Sequence, residues 1–89
     1  MKEYDGVVRK LSNNVIYNIH LTKDDNSVDG RMTGYMIKKG NTSKQYVTFF
    51  PDQNNIDDDW NVLYGKIITK NSGSNGMVDY VKIERTMFE

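Results

Sequence analysis

Residues 31–50 read RMTGYMIKKGNTSKQYVTFF, and the parity of this stretch decides the fold. It divides at Gly40-Asn41 into two runs of strand character, Arg31 to Lys39 and Lys44 to Phe50, rich in β-branched and aromatic residues about a glycine turn. Successive side chains of a strand point to opposite faces. If Gly40-Asn41 is a two-residue turn, Lys39 pairs with Thr42, Tyr35 with Tyr46, Thr33 with Thr48 and Met32 with Phe49. One face then carries Met32, Gly34, Met36, Val47 and Phe49, a candidate core. The other carries Arg31, Thr33, Tyr35, Ile37, Lys39, Lys44, Tyr46, Thr48 and Phe50. A three-residue loop would shift the register by one and mix the two sets.

The same reading extends along the chain in both directions. Val15 to Lys23 alternates cleanly, with Val15, Tyr17, Ile19 and Leu21 facing one way and Asn18, His20 and Thr22 the other. Before it stands a run from Tyr4 to Leu11, closed by Ser12-Asn13-Asn14. Pro51 ends the fourth run because it cannot donate to a ladder. Runs from Asn61 to Lys70 and from Met77 to Met87 follow, separated by NSGSNG at residues 71–76.

The fifth run is contested, because Trp60, Leu63, Tyr64 and Ile67 also fit a helical stripe. Val62, Gly65, Ile67, Ile68 and Thr69 make a poor helix interior, so a strand is expected there. One helical turn has room within residues 52–59.

Composition agrees with strands. Eight Val and seven Ile stand against three Leu and no Ala, with six Tyr and six Thr. These side chains fit a pleated surface and are crowded at χ1 in a helix. At 89 residues the chain is one domain. Six short strands must close, or nearly close, to bury one face and hide their edges. The expected fold is all-β, a small antiparallel β-barrel or compact sandwich of about six strands, OB-like or SH3-like, monomeric or a weak dimer.

Enzyme signatures do not emerge. There is no Cys, and the one histidine, His20, falls on the polar side of its run with no triad spacing around it, so it reads as a surface residue. Gly65-Lys66 lacks the earlier glycine of a phosphate loop. Asp25-x-Ser27-x-Asp29-Gly30 matches the first half of a calcium loop, yet Met36 stands where the bidentate Glu belongs. Neither a metal nor a cofactor is expected. No apolar run reaches the ~18 residues of a membrane span. MKEYDGVVRK, residues 1–10, does not read as a signal peptide, so a cytosolic location is expected.

Charge is balanced at twelve basic and twelve acidic residues, which gives the whole molecule no field toward nucleic acid or membranes. The distribution is uneven. Residues 30–51 hold Arg31, Lys38, Lys39 and Lys44 with no acid, and residues 52–59 hold Asp52, Asp57, Asp58 and Asp59 with no base. The candidate binding residues are therefore Arg31, Tyr35, Lys38, Lys39, Lys44, Tyr46 and Phe50, with Asp57, Asp58 and Asp59 as a contact patch for a basic partner. Aromatic and Arg anchors serve protein docking. Stacking rings among cations serve single-stranded nucleic acid. Cross-strand tyrosines that merely stabilise the sheet are the plainest alternative.

The expected function is a small non-enzymatic binding protein acting through a protein partner. An excess of Phe, Tyr, Met, Ile, Asn and Lys suggests an AT-rich genome. That makes a phage or mobile-element inhibitor of a host nucleic-acid-handling enzyme the sharpest version. An OB-like single-stranded nucleic-acid-binding protein is the second reading.

Overall fold

The computed structural model describes residues 2–23, 30–52, 61–69 and 77–88. Six strands follow in chain order: β1 (Lys2–Lys10), β2 (Ile16–Lys23), β3 (Met32–Lys38), β4 (Lys44–Pro51), β5 (Val62–Thr69) and β6 (Met77–Phe88). Each pairs antiparallel with its sequence neighbour, and β6 returns to pair with β1. The result is a closed barrel in which none of the six strands is left as an edge. The all-β barrel expectation holds. The sandwich alternative does not, because a single sheet closes on itself. The order is an unbroken meander, so the OB-like version is corrected: that fold is a five-stranded Greek key, whereas here every strand lies beside its sequence neighbour.

Alternation builds the interior. Tyr4 and Val8 of β1, Tyr17, Ile19 and Leu21 of β2, Met32 and Met36 of β3, and Val47 and Phe49 of β4 are buried. Leu63 and Ile67 of β5 and Val81 and Ile83 of β6 complete the core, with Val15 packed against it. The contested fifth run is a strand, since Leu63, Ile67 and Thr69 take the buried parity while Tyr64 and Lys66 face outward. The proposed helical turn falls almost wholly within residues 53–60, which lie outside the described residues; Asp52 itself follows β4 without helix.

Closing six strands into a narrow barrel demands sharp coiling, and inward glycines permit it. A Cβ on Gly34 would collide with the His20 carbonyl oxygen of β2. One on Gly65 would collide with the Phe50 carbonyl oxygen of β4. Both obstacles are backbone atoms, which cannot rotate away. A register shift between Asp5 and Gly6 supplies further curvature, with Asp5 opposite Met87 and Gly6 opposite Arg85.

The β3–β4 hairpin keeps the expected register, pairing Tyr35 with Tyr46, Thr33 with Thr48 and Met32 with Phe49. The expected Lys39–Thr42 pair is absent, because the ladder ends at Ile37 and Lys44. The chain instead turns at Lys38–Asn41, where the Asn41 N–H donates to the Lys38 carbonyl at 2.9 Å and Gly40 adopts φ 90°. The longer loop has the same parity as a two-residue turn, so inward and outward faces are unchanged.

Candidate functional site

Register aligns four outward side chains across four strands. Asp5 of β1 is opposite His20 of β2, His20 is opposite Tyr35 of β3, and Tyr35 is opposite Tyr46 of β4. His20 Nδ1 lies 2.6 Å from Asp5 Oδ1. An ionised carboxylate only accepts, so Nδ1–H is the donor toward such a partner. Glu3 Oε1 is 3.9 Å from Nε2, an attraction that operates when the imidazole is charged.

The rings continue the row. His20 and Tyr35 have centroids 5.5 Å apart, and Tyr35 meets Tyr46 edge-on at 6.4 Å. Lys44 Nζ sits 4.3 Å from the Tyr35 ring centroid, within cation–π range. Tyr46 is 65% exposed. Beside the row lies a shallow depression of about 300 Å³ bounded by Asp5, Asn18, His20, Tyr35, Ile37 and Thr86. The β1 register shift forms its rim. The next line of outward positions is Thr22, Thr33 and Thr48, a band of hydroxyls along the row.

The expected site residues separate into groups. Tyr35, Tyr46 and Lys44 come together as the hairpin register requires. Phe50 does not join them: it shares the outer face of β4 but lies beyond Thr48, opposite Lys66 of β5. Arg31 is exposed just before β3. Lys38 and Lys39 are exposed at the turn, where the Lys39 N–H donates to the Ile16 carbonyl at 3.4 Å. The outward face read from the hairpin is kept: Tyr35, Tyr46 and Lys44 cluster on it, and Phe50 stands on the same face about 13 Å along β4 from Tyr46. Asp57, Asp58 and Asp59 lie outside the described residues, as do Asp25 and Asp29.

His20 is the residue that sequence reasoning undervalued. It is half-buried and engaged on both sides, not a free surface group. The signal lay in the Leu11–Asn14 loop: Asn14 takes φ 60°, its N–H donates to the Lys10 carbonyl at 2.8 Å, and the Lys10 N–H donates to the Val15 carbonyl at 3.0 Å. Closing β1 on β2 there puts Asp5 opposite His20. Among the described residues, the serines Ser12 and Ser43 lie outside the strands, and the chain has no Cys. Among the described residues no group of three or more His, Asp or Glu could hold a metal ion. Among them there is no helix long and apolar enough to cross a membrane. Comparison with protein-family models, curated proteins and solved structures finds no match to this chain.

Proposed function

We propose that this barrel is a small non-enzymatic binding protein that docks on a protein partner through the Asp5–His20–Tyr35–Tyr46 row. The observation that carries the reading is the mixture of charge along that row. A carboxylate, an imidazole and two phenols lie within one cross-strand line, with the Lys44 ammonium reaching over the Tyr35 ring from the next position and Glu3 beside His20. Protein hot spots use exposed aromatic anchors surrounded by polar groups of both signs. A polyanion would meet Asp5 and Glu3, and a base seeking the Tyr35 ring would find Lys44 over it.

The test is affinity capture from a lysate, with and without nuclease, using the native chain and a Tyr35→Ala/Tyr46→Ala variant. A defined protein that survives nuclease, is lost with the variant and binds the purified chain in a direct titration supports the reading. A nuclease-sensitive partner, or one retained by the folded variant, overturns it.

A further inference from the structure

A second outward surface, centred on β5 and β6, lies across the barrel from the His20–Tyr35 row. Its register sets Phe50, Lys66 and Tyr80 in one cross-strand line and Tyr64, Lys82 and Arg9 in the next. Rings and cations alternate along the first line, and each cation of the pair Lys66 and Lys82 stands beside a ring on the neighbouring strand. Between the lines runs a trough of about 440 Å³ walled by Phe50, Tyr64, Lys66 and Tyr80. A separate depression of about 260 Å³ is lined by Arg9, Lys82 and Glu84.

The rings here are accessible. Tyr80 is 68% exposed, and Tyr64 is also exposed. The ammoniums of Lys66 and Lys82 lie 5.8 and 6.0 Å from the Phe50 and Tyr64 centroids, at the outer limit of cation–π contact. A stacking ligand can displace contacts that loose, in contrast to Lys44 on Tyr35. Arg9 and Lys66 form no ion pair among the described residues, and Lys82 shares its charge with exposed Glu84 at 3.6 Å. Asp52 stands at one end of the trough and bounds the basic track there.

We infer that this face binds a short stretch of single-stranded nucleic acid. Bases stack on Tyr64 and Tyr80, and Lys66, Lys82 and Arg9 follow the phosphates. Two features select this ligand: ring faces open to a planar group, and cations interleaved with those rings at cross-strand spacing. A duplex offers phosphates but no exposed base faces. The surface is separate from the row proposed for protein docking, so either can fail alone.

The experiment is fluorescence anisotropy of a labelled oligothymidine titrated with the intact chain at several salt concentrations. The expected log K versus log salt slope is about −2 for three phosphate contacts, with the matching duplex bound more weakly. Tyr64→Ala with Tyr80→Ala should weaken binding roughly 30-fold or more, because two stacking platforms are lost. Lys66→Gln with Lys82→Gln should weaken it and flatten the slope toward −1. Tyr46→Ala should leave it unchanged. Absence of binding at low salt, equal affinity for duplex, or binding unaffected by both double variants would overturn the inference. So would a nuclease-resistant protein partner lost with the Tyr64/Tyr80 variant. If that tyrosine variant melts early by circular dichroism, the lysine variant decides.

Discussion

Tyr4 and Tyr17 point into the barrel and are almost wholly buried, whereas Tyr46 and Tyr80 project from its outer face and are among its most exposed side chains. Nothing in the local chemistry of these four residues distinguishes them. Strand parity alone assigns each to the core or to solvent, and the consequences differ by several kcal/mol. Phe49 and Phe50 make the contrast within one dipeptide: Phe49 is fully enclosed, and Phe50 forms part of the β5–β6 trough. The inward set specifies the fold. The outward set leaves Tyr46, Tyr64 and Tyr80 exposed, and the proposals of binding rest on those rings.

The largest expected effect falls on the inward side. Gly34→Ala should destabilise the domain by about 4 kcal/mol or more, because the new Cβ meets backbone of β2. Loss of the cooperative melt expected of the native chain is the readout, and a melt close to native would show that the strands can part there at little cost. Phe49→Ala should remove about 3–5 kcal/mol by opening a cavity in the barrel. Phe50→Ala, one residue on, should remove about 1 kcal/mol, as suits a side chain only half covered. Urea midpoints for the two alanine variants should therefore separate widely; equal midpoints would break the parity assignment.

The inward charges come next. Lys10 Nζ lies 3.4 Å from Asp79 Oδ2, and both side chains are largely buried at one end of the barrel. Lys10→Met should cost about 2 kcal/mol by stranding the carboxylate, less than a deeply buried pair because some solvent reaches it. Lys10→Met combined with Asp79→Leu should recover most of that loss, and a double variant less stable than Lys10→Met would contradict the coupling.

Effects on the outer face should be smaller in stability. Tyr35→Ala with Tyr46→Ala should cost about 1 kcal/mol, the scale of a cross-strand aromatic pair. Tyr80→Ala should stay within about 0.5 kcal/mol of the native protein, given its exposure. Thermal melts read both. A loss near that of Phe49→Ala at either site would place these rings in the core and remove the basis for outer-face binding.

Much of this organisation was legible beforehand, and for identifiable reasons. Alternation of Val15, Tyr17, Ile19 and Leu21 marks one face of the second run, and these are the residues packed inside. The Tyr35–Tyr46 pairing followed from hairpin parity, which survived although the turn is Lys38–Asn41 and the Lys39–Thr42 pair does not form. The Asp5–His20 contact was less visible, because it depends on which residues of the Leu11–Asn14 loop close the hairpin. The grouping of Phe50 with Tyr64 and Tyr80 was not legible at all.

Sequence by itself therefore determined the strand content, the strand positions to within a few residues, and which side chains of the central hairpin face inward. These properties are local: a period of two and a turn residue with positive φ are written in neighbouring positions. Only the tertiary structure decided the meander order, the return of β6 to β1 with its register shift at Asp5 and Gly6, and the separation of the outer aromatics into two surfaces. Those properties depend on registers between strands far apart in the chain. Such registers are set jointly by filling the barrel interior, satisfying every ladder and fitting glycine where backbones nearly touch.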